Sequence, residues 1–118
     1  MKNYRIINLE LTLPAVHDIP ERISRELREA RRHKIRVMKL IHGYGSSGKG
    51  GKLRLAVRRE LVRAQESKQI ICFIPGEQFS IFDADTQRAL HTCAELRHDP
   101  DLERHNNGIT LVVFQGSH

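Results

Sequence analysis

Five of the chain's eight glycines lie within nine residues, Gly43 to Gly51, and they separate two segments of different periodicity. Before them runs Ile35-Arg36-Val37-Met38-Lys39-Leu40-Ile41, short and mostly apolar, the pattern of a strand buried on both faces. After them, from about Gly51 to Gln65, Leu53, Val57, Leu61 and Ala64 recur at helical spacing. Arg54, Arg58, Arg59 and Arg63 fall on the other faces of that helix. A strand, a glycine-rich turn and an amphipathic helix make a βα unit. Such a unit commits the rest of the chain to covering a sheet with helices.

The flanking segments fit that commitment. Residues 5–13 alternate from Ile7 onward, so a strand is predicted with Ile7, Leu9, Leu11 and Leu13 on one face, ended by Pro14. Asp18 is placed to cap a helix, and Pro20 is tolerated in its first turn. Ile19, Ile23, Leu27 and Ala30 form the apolar face of that helix. Gln69 to Ile74 reads as a strand stopped by Pro75-Gly76. Asp83 or Asp85 caps a third helix to about Leu96, with Leu90, Cys93 and Leu96 inward and His98-Asp99-Pro100 breaking it. Asn106-Asn107-Gly108 is a turn into a last strand, Ile109 to Phe114. The order β-α-β-α-β-α-β predicts an α/β fold, a two-layer sandwich with a mixed, mostly parallel four-stranded sheet. One domain is expected over 1–118, with its core at about 5–114, large enough to need no disulfide or metal staple.

Composition narrows the class of partner. Mean hydropathy is −0.48, and no run approaches the ~18 apolar residues of a membrane span. The start, Met1 to Arg5, leads into a charged segment and not a signal-peptide core. Cys72 and Cys93 lack CxxC spacing and read as a reduced pair, and the histidines show no metal-ligand spacing. No metal site, no membrane and a cytoplasmic setting are expected. Net charge is +6. Residues 1–68 hold 17 Lys/Arg and 7 Asp/Glu, net +10, whereas residues 69–118 hold 3 and 7, net −4. The basic excess thus lies with the glycine loop, which suggests a polyanion.

Glycines let backbone amides approach a partner closely, and the start of the next helix favours an anion. Two nucleotide fingerprints nearly match. Gly43-x-Gly45-x-x-Gly48 fits a dinucleotide loop, but no acidic residue stands at Ile70 to Pro75, where the next strand should end. Gly43-x4-Gly48-Lys49 fits most of a P-loop, but Gly50 replaces the Ser/Thr that holds magnesium. His42, at the end of the strand, can bond a phosphate, serve as acid or base, or brace the strand.

The run Ile41-His42-Gly43-Tyr44-Gly45, followed by a Gly-Lys-Leu-Arg start to a basic helix, resembles the small MutS-related (Smr) domain family. Leu53-Arg54 matches its leucine-arginine pair, and Gly108-Ile109-Thr110 matches its Gly-x-Thr turn before a short apolar strand. The resemblance runs in order of elements over about residues 7–114. It implies a two-layer α/β sandwich similar to the C-terminal domain of a bacterial initiation factor. It also implies DNA or RNA binding, often with endonuclease activity. The family's first strand carries Leu-Asp-x-His-Gly; here the segment reads Leu9-Glu10-Leu11-Thr12-Leu13, so Glu10 stands for the acid and Thr12 for the histidine. Thr12 does not titrate, so the subgroup is divergent. The segment 75–106, with Phe79, Ile81 and Phe82, adds a helix, read first as packing and second as a surface for a protein partner.

The leading expectation is nucleic-acid binding through His42, Gly43, Tyr44, Gly45, Lys49, Lys52 and Arg54, with Arg58 secondary. Loop amides would hold phosphates, and Tyr44 would stack on a base. The alternative is an endonuclease using Glu10 and His42 with Mg2+ or Mn2+. A further alternative is nucleotide binding through the near P-loop.

Overall fold

The computed structural model describes residues 3–12, 14–43 and 49–116. Strand β1 (Tyr4–Asn8) runs into a single helical turn, α1 (Leu9–Thr12), and a 3-10 turn at Val16–Asp18 leads into α2 (Ile19–Arg32). Strand β2 (Val37–Ile41) precedes the glycine loop, and α3 (Lys49–Glu66) follows it. Then come β3 (Cys72–Pro75), a 3-10 turn at Gly76–Gln78, α4 (Ala84–Thr92), a second 3-10 turn at Ala94–His98, and β4 (Ile109–Val113).

The expected α/β sandwich is present, on a four-stranded mixed sheet ordered β1-β2-β4-β3. The pair β1/β2 is parallel, and β4 lies antiparallel to both its neighbours. Three strands therefore point the same way and β4 points against them. The reason is the return path. Pro75 sits opposite Thr110, so the chain leaves β3 and re-enters β4 at one end of the sheet.

Side-chain alternation divides the sheet into two cores. Met38, Leu40, Val112 and Phe114 face α2 and α3, which supply Ile23, Leu27, Val57 and Leu61. Val37, Ile109, Leu111 and Val113 face the other way, against Phe79, Ala89, Leu90, Cys93 and Leu96. The segment 75–106 thus packs on the second face, which is why all five residues of β4 are buried. Of its three leading apolar side chains only Phe79 is buried; Phe82 is 87% exposed.

Lys39 faces that second core from β2 and is buried. Its ammonium pairs with Asp99 at 2.9 Å and also with Asp101, while the Tyr4 hydroxyl donates to Asp99 at 2.5 Å. Burial pushes Asp101's carboxyl up, but Lys39 and the Asn106 amide more than offset this, so it ends lower than usual. Burial and Asp99 together push the Tyr4 phenol well up. The cluster ties the edge of the sheet to the return segment.

Two expected elements differ: the third helix, expected to about Leu96, ends at Thr92, where an extended Cys93 breaks it before the 3-10 turn, and the first strand is cut short. The strand predicted through residue 13 stops at Asn8, and 9–12 turn helical. Asn8 Oδ1 accepts from the Glu10 amide at 3.0 Å, a helix-start bond that competes with extension of the strand. The turn buries Leu9 fully and leaves Leu11 82% exposed. Leu13 lies outside the described residues. Asp83, and not Asp85, caps α4, accepting from the Thr86 amide at 2.9 Å.

Candidate functional site

The end of β1, the end of β2, the start of α3 and the turn before β4 meet at one end of the sheet. There Gly108 O accepts from the amides of both His42, at 3.0 Å, and Gly43, at 2.9 Å. This ties the root of the glycine loop to the turn before β4. Gly43 adopts φ +80°. A Cβ on it would come within 2.7 Å of Glu10 Oε2, the movable end of an exposed side chain, so it is the backbone conformation that calls for glycine. Glu10 and the loop root are therefore neighbours.

His42 is 0% exposed. Its ring Nδ1 lies 2.8 Å from Gly43 O, and its Nε2 lies 2.8 Å from Thr110 Oγ1. A carbonyl only accepts, so Nδ1 carries the proton and donates. Nε2 then accepts from the Thr110 hydroxyl, and that hydroxyl accepts in turn from Arg58 Nε at 3.1 Å. One chain of bonds thus runs from Arg58 through Thr110 to His42 and on to Gly43. It fixes a neutral imidazole in a single tautomer. Burial pushes its pKa down to about 4, and the Arg58 and Arg54 charges add to the effect against the Gly43 carbonyl.

Arg58 is engaged on every side. Its guanidinium forks onto Glu77 at 2.9 and 2.8 Å and donates to Ile109 O at 3.3 Å. That fork holds the Glu77 carboxyl below the usual carboxylate range. Arg58 therefore braces the site from within and is already neutralised. Lys52 is exposed on the first turns of α3 and Arg54 is half-buried. Lys49 opens the same helix. Tyr44 and Gly45 lie outside the described residues, so their predicted contacts have no geometry here. Among the described residues no three His, Cys, Asp or Glu side chains converge to hold a metal ion.

Sequence reasoning placed His42, Gly43 and Arg54 after the strand and on the following helix, where the structure has them. It missed Thr110 and Glu77 as partners. Thr110 had a signal in its Gly-x-Thr turn, while Glu77 had none, since its partner lies 19 residues earlier on another element. No protein-family model, curated protein or solved structure matches this chain. Among the described residues no helix is long and apolar enough to cross a membrane.

Proposed function

We propose that this chain binds nucleic acid, with phosphates resting on the glycine-loop end of the sheet and on the basic helical layer beside it, as the Smr resemblance implies. The observation that carries this reading is the division of charge across the sheet. α2 and α3 pack side by side on one face; their outward residues include Arg25, Arg28, Arg31, Lys52 and Arg59, exposed and without an ion pair among the described residues, and Arg32 and Arg63, exposed but paired with Glu29 and Glu60. Most acidic residues of the second half lie in the segment that packs on the opposite face, while Glu77 reaches back to Arg58 of α3. A layer richer in cations than the opposite one suits a strand of phosphates.

The test is fluorescence anisotropy with labelled single-stranded RNA and DNA at two salt concentrations. If three phosphates are neutralised, counterion release lowers affinity by about twentyfold between 50 and 200 mM salt. Affinity that barely moves with salt refutes the reading. Lys52→Ala and Arg54→Ala should each weaken binding, and each should flatten the salt slope by ~0.7, the share of one neutralised phosphate.

A second reading rests on Glu10 lying against Gly43. In an endonuclease Glu10 would bind Mg2+ or Mn2+ and His42 would move a proton. The neutral, doubly bonded imidazole favours bracing over proton transfer. Incubation of labelled RNA and DNA with either metal decides between them. Cleavage lost in both Glu10→Gln and His42→Ala supports the nuclease, and cleavage surviving in either removes it.

A further inference from the structure

The return segment between α4 and β4 carries a feature that the phosphate platform does not use. Asp101, Arg104, His105, Asn106 and Asn107 line a shallow open hollow of about 430 Å³. It adjoins the platform, because Gly108, the next residue, accepts from the amides of His42 and Gly43. Its volume falls near the lower end of the ~300–1,000 Å³ range of small-ligand sites.

The walls are held in an unusual backbone. Glu103 and His105 adopt φ +68° and +53°, left-handed values that non-glycine residues rarely take and that cost about 1–3 kcal/mol each. Many bonds hold that conformation. The Glu103 amide donates to Phe79 O at 3.0 Å, and its carboxylate accepts from the Ile81 amide at 2.6 Å. His105 Nδ1 donates to Glu77 O at 3.2 Å. Asn106 donates to Asp101 at 2.9 Å and accepts from the Gly108 amide at 2.9 Å. Gly76 lies so close to Asn106 O that no Cβ fits between them. The hollow is preorganised by bonds that consume Asn106 and Asp101.

Three polar groups are left over. Arg104 forms no ion pair, the His105 ring keeps its Nε2, and the Asn107 side chain has no hydrogen bond, all among the described residues. A planar cation, an imidazole and a carboxamide are the set that proteins use on an unstacked base: rings and guanidinium stack, and the amide pairs with the base edge. The geometry points to this hollow as a subsite for one base of a single-stranded nucleic acid whose phosphates lie on the adjoining glycine-loop platform. The inference rests on the proposed nucleic-acid reading and adds to it a means of preferring single strands.

The experiment compares a labelled RNA oligomer with an abasic oligomer of equal length, which offers the same phosphates without bases. Stacking predicts that the wild type binds the base-bearing strand about tenfold more tightly. His105→Asn keeps a residue that tolerates the left-handed backbone, and Asn107→Ala removes the amide. Each variant should lose most of the preference while its affinity for the abasic strand stays as in the wild type. Equal affinity of the wild type for both strands overturns the subsite and leaves the platform standing. So does an undiminished preference in both variants, or a free nucleoside monophosphate binding as tightly as the oligomer. If neither strand binds the wild type, the nucleic-acid reading itself fails and the subsite falls with it.

Discussion

Acidifying the protein tests the His42 network directly. An unfolded imidazole protonates near pH 6.5, whereas folding holds His42 down to about 4. Protons therefore bind the unfolded chain first. The contribution is complete above pH 6.5 and is lost as the pH falls from 6.5 through 4. Each unit of depression is worth ~1.4 kcal/mol, so lowering the pH from 7 to 5 should cost about 2 kcal/mol. The His42→Gln variant isolates the residue, since His17 and His33 lie beside Asp18 and Glu29 in both proteins. The other described histidines, His17, His33, His91, His98 and His105, are exposed, and Glu77, held low by Arg58, titrates below the window. Urea unfolding at pH 7, 6 and 5, at constant ionic strength, measures the effect. His42→Gln should be less stable than wild type at pH 7 and nearly flat over the same range. Stability unchanged within ~0.5 kcal/mol in the wild type, or an equal slope in His42→Gln, would refute the tautomer and burial argument together.

Three further outcomes follow from packing and buried charge. Phe79→Ala empties the second core and should cost ~3–5 kcal/mol in chemical denaturation, while Phe82→Ala, on an exposed side chain, should stay within ~0.5 kcal/mol. Gly43→Ala combines a left-handed φ with a Cβ 2.7 Å from Glu10 Oε2, and should cost ~1–3 kcal/mol in thermal unfolding. Adding Glu10→Ala should recover little of that cost, because the exposed Glu10 side chain can swing aside on its own. Lys39→Met strands Asp99 and Asp101 in the second core and should cost ~3–5 kcal/mol, with Asp99→Asn in the same chain restoring part of it in a double-mutant cycle.

What the sequence made legible follows the strength of its periodicities. α2 and α3 were readable because their apolar stripes leave no competing pattern, and β4 because a continuous apolar run needs cover on both faces. Leu9 to Leu13 misled because alternating leucines suit a strand, while the deciding bond comes from Asn8, a residue outside the alternation. Phe79, Ile81 and Phe82 look equivalent in sequence. Only the turn at Gly76–Gln78 decides which of them enters the core. At the site, His42 was legible from its place after a strand. Its locked tautomer was not, because it depends on Thr110 and Arg58, which approach from two distant elements. Arg58 and Arg54 read alike as surface cations, yet one is enclosed by Glu77 and two carbonyls.

The arrangement of layers explains why the chain's own acidic half does not silence its basic half. A flexible chain with net charges of +10 and −4 in its two parts would tend to pair them. Here the sheet stands between. With roughly 10 Å from the sheet to the helix axis on each side, the axes of the two layers lie about 20 Å apart and their outer surfaces farther still. That exceeds twice the ~8 Å Debye length at physiological salt, so the acidic layer barely weakens the field outside α2 and α3. The cation that does cross toward the acidic layer is Lys39, whose side chain β2 points into the second core, and two aspartates answer it there. Arg58 is likewise answered by Glu77 at the end of the sheet. These pairings position the return segment and the His42 network. On the outer helical face Arg32 and Arg63 pair with Glu29 and Glu60 of their own helices, whereas Arg25, Arg28, Arg31 and Arg59 form no ion pair among the described residues and keep their reach for a partner from solution.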